Sequence, residues 1–211
     1  MAGSRGKFIT FEGGEGAGKS TQARLLKAAL EARGKDAVLT REPGGTPAAE
    51  EIRKLLVEGA PERWTPLSET LLFLAARADH VARLIEPALE RGQWVISDRF
   101  SDSTIVYQGI ARGLGTNKVE RLSAAVLGGF APDLTLVLDV DPRKGLARAG
   151  KRGADENRFE RFDERFHNEL ISGFRAIAAA EPRRCTVING EGSTDDVAAA
   201  IWRVVEERLC P

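Results

Sequence analysis

The chain has 211 residues, 42% of them hydrophobic and 29% charged, and its 31 basic and 31 acidic side chains cancel. That length supports one α/β domain with a sizeable core, and the composition excludes a disordered chain. Zero net charge argues against general electrostatic capture of nucleic acid, and no apolar run approaches the roughly 20 residues that span a membrane.

The opening "MAGSRGK" carries no apolar signal region, and "KFITFE" (7–12) reads as a first strand. An amphipathic stretch from Lys19 to about Arg33 follows, ended by Gly34. "DAVLTRE" (36–42) is a second strand closed by "PGGT", and Ala48 to Glu58 is helical. Pro66 to Arg91 forms a long helical pattern with a bend expected before Pro87. "WVISD" (94–98) is a third strand, and Asn117 to Leu127 a helix. "LTLVLDV" (134–140) is a fourth strand, apolar enough to be buried on both faces. A short helix after Pro142 leads into the polar, glycine-bearing segment "AGKRGADENR". Phe159 to Glu181 reads as one helix, "CTVIN" as a fifth strand and Thr194 to Leu209 as a last helix. This alternation predicts an α/β fold, a five-stranded parallel sheet with helices on both faces, in a single domain spanning 1–211. Cys185 and Cys210 lack metal-ligand spacing, which fits a reduced, cytoplasmic protein.

Between the first strand and the first helix, Gly13, Gly18, Lys19 and Ser20 fit G-x-x-x-x-G-K-[ST]. Glycines let backbone N–H groups turn toward phosphate oxygens, and the helix that starts near Lys19 adds its positive end. Lys19 is placed to bridge the terminal phosphates of ATP, and Ser20 to ligate Mg²⁺. The "TNKVE" stretch (116–120) comes close to the guanine-reading N-K-x-D but has Glu120 where aspartate belongs, and it falls in a predicted helix.

Four further clusters lie near strand ends, where open α/β sheets bind ligands. "TREPGGT" (40–46) offers Arg41 to a phosphate, with glycines that permit close approach. In "LLFLAARADH" (71–80), Phe73 and Arg77 share one helix face and suit a base and its phosphate. "SDRFSDSTIVYQG" (97–109) supplies Asp98 for Mg²⁺, Arg99 for phosphate, and Ser103, Tyr107 and Gln108 for a base or sugar. "RAGKRGADENRFE" (148–160) gathers Arg148, Lys151, Arg152 and Arg158, and reads as a short lid at about 148–158 that closes over a transferring phosphoryl group.

With these elements the chain resembles the bacterial thymidylate kinases of the P-loop nucleoside-monophosphate kinase group, from "FEGGEGAGKST" through "TREPGGT", "FLAAR", "DRFSDSTIVYQG" and "PDLTLVLDV" to "RFE". Val106 and Phe100 depart from the commoner residues without removing a polar function. The resemblance implies the P-loop NTPase fold, transfer of the γ-phosphoryl group of ATP to dTMP giving dTDP, Mg²⁺ and a homodimer. It implies that Gly13, Gly14, Glu15, Gly16, Ala17, Gly18, Lys19, Ser20 and Thr21 bind ATP, with Ser20 and Asp98 at the metal. It further implies that Arg41, Arg77 and Arg99 hold the dTMP phosphate, Phe73 stacks on thymine, Ser103 and Gln108 contact the base, Tyr107 crowds the sugar and Glu15 lies near the 3′-hydroxyl. The variable loop positions Gly14 to Ala17 supply no arginine, so the catalytic cations expected besides Lys19 are Arg152 and, second, Arg158. Another monophosphate kinase, a deoxyribonucleoside kinase and a non-catalytic nucleotide-binding module are the alternative readings.

Overall fold

The computed structural model describes residues 5–150 and 158–210. Its strands are β1 (Phe8–Glu12), β2 (Ala37–Arg41), β3 (Trp94–Asp98), β4 (Leu134–Asp139) and β5 (Cys185–Asn189). They form one parallel sheet in the order β2-β3-β1-β4-β5.

Alternate residues of each strand turn to opposite faces. Ile9, Phe11, Trp94, Ile96, Leu136 and Leu138 pack with α1 (Lys19–Glu31) and with Ile201 and Val205 of the C-terminal helix (Thr194–Leu209). Phe8, Val95, Val137 and Cys185 turn the other way, under the remaining helices. Burial on both faces is why the strands read as near-continuous apolar runs.

The β2–β3 crossover carries α2 (Pro47–Val57), α3 (Pro66–His80) and α4 (Glu86–Glu90). Thr46 and Thr65 cap α2 and α3, each followed by proline at the first helical position. The expected bend before Pro87 is a single widened turn, Val81–Ile85, in which the Glu86 N–H reaches back to the Val81 carbonyl. That register accommodates a proline, which has no N–H and whose ring crowds the carbonyl four residues back. After β3 comes a helix absent from the sequence reading, α5 (Ser101–Thr104), continuing in widened turns through Ile105–Ala111. Then follow α6 (Thr116–Leu127), α7 (Pro142–Ala149), α8 (Glu164–Ala180) and α9 (Thr194–Leu209). The single helix expected from Phe159 is divided. A short turn at Phe159–Arg161 precedes a fresh start at Asp163, whose carboxylate accepts from the Phe166 N–H at 2.9 Å.

Candidate active site

The carboxyl ends of β1, β2 and β3 converge on one cleft. The loop from Gly13 to Gly18 leaves β1 and enters α1, with Gly13, Gly16 and Gly18 at positive φ. A Cβ on Gly16 would lie 1.9 Å from the Gly145 carbonyl oxygen, so the close approach of α7 itself demands glycine there. Lys19 is buried and donates to the carbonyls of Gly13 (3.2 Å) and Gly14 (2.7 Å). Burial and then the Arg99 cation lower its pKa to about 8. Ser20 Oγ donates to Asp98 Oδ2 at 2.5 Å, which brings the two expected metal ligands together from the start of α1 and the end of β3.

Arg99 is the one non-glycine residue with positive φ (73°) among the described residues. Such a conformation costs on the order of 1–3 kcal/mol and persists where the surroundings over-determine it. Here they do: Arg99 N–H donates to the Phe11 carbonyl at 2.9 Å, and its own carbonyl accepts from Ser97 Oγ at 2.8 Å. The next N–H, of Phe100, donates to Glu12 at 2.8 Å. The elbow sends the guanidinium to the Gly13 carbonyl (2.9 Å), Ser103 Oγ (3.1 Å) and Glu15 (3.0 Å). Glu15 also accepts from the Tyr107 hydroxyl at 2.7 Å. Burial alone would favour the protonated acid, but Arg99, Lys19 and the Tyr107 hydroxyl hold it down at about 2.

Glu12 escaped the sequence reading. It ends β1 wholly buried, accepts from Phe100 N–H and from Ser103 N–H (3.4 Å), and takes the Ser103 hydroxyl at 2.6 Å. Phe100 has no side-chain oxygen to cap α5, so Glu12 caps it from another element. Burial and the neighbouring Asp102 push its pKa up to about 7 against the pull of Arg99. The available signal was a carboxylate closing an otherwise apolar strand, which must find partners.

Phe73, Ser103, Tyr107, Gln108, Arg99 and Glu15 line one cavity. A second, polar cavity holds Lys19, Ser20, Arg41 and Asp98. Glu15, Glu42, Arg53, Arg99 and Glu160 border both, so the two are compartments of one cleft. Arg53, also unread in the sequence, comes from α2 and donates to the Pro43 carbonyl at 2.7 Å. Arg41 stands at the rim, paired with Glu50 at 3.1 Å. Arg77 lies deeper. Its Nε donates to Glu42 at 2.6 Å and its Nη2 to the Phe100 carbonyl at 3.1 Å, while Nη1 is buried with no partner among the described residues. The other oxygen of Glu42 accepts from His80 Nδ1 at 2.9 Å, and His80 Nε2 meets Thr40 Oγ1 at 2.7 Å. On the far side of the loop, Gly18, Ser20, Thr21, Arg24, Arg148 and Ser193 line a groove beside the turn after β5.

A sequence model of the thymidylate kinase family matches residues 11–201. The chain belongs to the thymidylate kinase family. It is 53% identical over 205 residues to a thymidylate kinase of Rhizorhabdus wittichii, covering 97% of this chain and 99% of that one. To a thymidylate kinase of Caulobacter vibrioides it is 51% identical over 206 residues, covering 98% and 99%. The crystal structure of thymidylate kinase from Ehrlichia chaffeensis superposes with a TM-score of 0.75 at 35% identity, covering 95% of this chain and 99% of that chain. The P-loop NTPase fold expected from the sequence is therefore the fold of this thymidylate kinase family member.

Arg158, expected second among the cations because the loop supplies no arginine, stands away from the loop. Arg158 is wholly buried, not a cation poised above the loop. Its guanidinium donates to the carbonyls of Ala60 (2.9 Å), Leu56 (3.0 Å) and Pro61 (2.5 Å), and its N–H to the Val57 carbonyl at 3.2 Å. Leu56 and Val57 end α2, so Arg158 satisfies carbonyls that a helix terminus leaves open. Arg148 belongs to the last turn of α7. Lys151 and Arg152 lie outside the described residues.

Proposed function

We propose that the two compartments of the cleft hold ATP and dTMP and that Lys19, Arg99 and Arg77 act on the phosphates between them. Family membership makes the chain a dTMP kinase: ATP and dTMP give ADP and dTDP. The observation that carries the assignment of residues is the shared wall of Glu15, Glu42, Arg53, Arg99 and Glu160 between the lysine side and the aromatic side.

In this reading the loop Gly13–Thr21 wraps the ATP phosphates with backbone N–H groups, and the groove at Arg24, Arg148 and Ser193 takes the rest of the nucleotide. Lys19 exchanges the Gly13 and Gly14 carbonyls for β- and γ-phosphate oxygens, which favour its charged form. A dTMP phosphate oxygen attacks the γ-phosphorus, and the bond to the oxygen bridging it to ADP breaks. Arg77 Nη1 is a buried donor lacking an acceptor among the described residues, which suits a phosphate oxygen. Arg99 and Arg41 add cations along the path, and Phe73 supplies a flat apolar surface for the base. Asp98 and Ser20 present adjacent hard oxygens that fit Mg²⁺ completed by phosphates and water. When bound, Mg²⁺ supplies charge neutralisation at the transferring group. Arg152 remains the proposed additional cation.

We also propose a homodimer in one cytoplasmic domain. Leu55, Leu67, Leu71 and Val126, exposed on α2, α3 and α6, support a covered apolar face, and the free thiols Cys185 and Cys210 support a reducing compartment. Among the described residues no helix is long and apolar enough to cross a membrane. The test is a coupled ADP-release assay with Mg²⁺ and dTMP, dUMP, dGMP or no acceptor. We expect turnover to be greatest with dTMP; ADP release indifferent to dTMP refutes the reading.

A further inference from the structure

Gln108 lines the acceptor cavity together with Phe73 and Tyr107 and is almost wholly buried. An amide has two unlike ends: the NH₂ donates and the carbonyl accepts. Which end meets a ligand decides what the ligand must carry. Here the amide is not free to turn. Its Nε2 donates to Glu69 Oε1 at 2.9 Å.

Glu69 sits in α3 with no exposure, between two guanidinium groups. Arg158 Nη1 lies 2.5 Å from Oε2 and Arg112 Nε lies 4.0 Å from Oε1. No aligned donor reaches Oε2 among the described residues, so the Arg158 contact is an ion pair rather than a hydrogen bond. Both arginines are themselves fixed. Arg112 donates to the carbonyls of Pro61 (3.0 Å) and Trp64 (2.5 Å), and Arg158 to Leu56, Ala60 and Pro61. The frame is rigid, and the atoms of Glu69 within it are acceptors.

We infer that Glu69 is a positioning residue which, held by Arg158 and Arg112, fixes Gln108 with its carbonyl oxygen toward the acceptor cavity and so selects a pyrimidine that carries N–H at ring position 3. Thymine carries that hydrogen. Cytosine presents a bare nitrogen there, lone pair against lone pair. This inference rests on the assignment of the cavity to dTMP. It also gives Arg158 a purpose at its buried position: the arginine acts on the base through Glu69 and Gln108, not on the transferring phosphoryl group.

Glu69→Gln is the decisive change, because a single amide has one acceptor atom. Arg158 attracts that oxygen, the new NH₂ turns to Gln108, and Gln108 must reverse to accept from it. With saturating ATP, the ratio of kcat/KM for dTMP over dCMP should fall by at least about 10²-fold, since sites built to hydrogen-bond a group discriminate strongly against its absence. The KM for ATP should stay within about twofold, because no donor-side contact is touched. Gln108→Ala leaves the ion pairs of Glu69 in place and keeps the test available if Glu69→Gln does not fold. It should collapse the same ratio, and adding Glu69→Gln to it should move the ratio by less than about threefold, as expected when one residue acts through the other. A parent that turns over dTMP while both single variants keep its dTMP-to-dCMP ratio overturns this inference and leaves the dTMP kinase reading standing. A parent that releases no ADP with dTMP overturns that reading and this inference with it.

Discussion

The two sides of the cleft are built in different materials. The donor side is mostly backbone: glycines at positive φ, a helix N-terminus, and arginines on the borders of an open groove. The acceptor side is a set of buried and half-buried carboxylates, most of them answered by an arginine: Glu15 by Arg99, Glu42 by Arg77, Glu69 by Arg158, and beneath them Asp102 by Arg184, while Glu12 is met by Ser103 and backbone N–H groups. The difference follows from the task. Phosphates are common to all nucleotides and are met by N–H groups that need no side-chain order. A particular base and a single phosphate must be distinguished from near neighbours, and that requires side chains whose orientation is fixed before the ligand arrives.

The contrast predicts where substitutions act. Lys19→Met removes the one buried cation of the donor loop and should lower kcat by about 10³-fold, with dTMP affinity in an ATP-free calorimetric titration little changed. A large loss of dTMP affinity would mean that the sides are not separable. Arg158→Met should show as stability: leaving buried Glu69 with only the more distant Arg112 cation should cost up to about 3–5 kcal/mol in urea unfolding. Arg148→Ala, on the donor groove, should stay within about 0.5 kcal/mol.

The pH dependence of stability tests Glu12. Its folded pKa of about 7 stands above the ordinary glutamate value of 4.5, so the folded state binds the proton more tightly and is favoured at low pH. That contribution is complete below pH 4.5 and is lost as pH rises through 7. Between those values the parent should lose up to about 3 kcal/mol relative to Glu12→Gln, which has no proton to release. Parallel pH profiles for the two proteins would remove Glu12 from the account. Arg77→Lys should act on binding rather than on stability. It keeps a charge for Glu42 and gives up the forked donor, so the dTMP KM should rise about tenfold while ATP binding holds.

Much of the architecture was legible because the strands are buried on both faces. "WVISD" and "CTVIN" are β3 and β5 residue for residue. The glycine loop was legible because its chemistry is local. What was not legible depends on distance along the chain. Glu42 reaches Arg77 across 35 positions and Glu12 reaches Ser103 across 91, and nothing in either segment names its partner. Phe73 and Arg77 share a helix face as their spacing indicates, yet the turn that lines the cavity with Phe73 buries Arg77 beneath it. The Ser101–Ala111 helix was hidden for a different reason: its widened turns shift Tyr107 and Gln108 out of the 3.6-residue period that a helical reading seeks. Arg158 looked like part of a charged, glycine-bearing segment. Its role is set by the end of α2, far away in sequence.

The paired carboxylates and arginines also bear on how such a protein can change over time. A lone substitution at either member of a buried pair strands its partner's charge, at a cost comparable with a substantial part of the stability of a typical domain. Single-step routes away from Glu69–Arg158 or Glu42–Arg77 therefore pass through poorly folded intermediates. Within the family, positions 69 and 158, and 42 and 77, should be inherited as units: both ionic, or both replaced. The glycines of the loop carry no charge that a substitution could strand, although Glu15 among them is tied to Arg99. The acceptor pocket should evolve in jumps of two, and the donor groove one residue at a time.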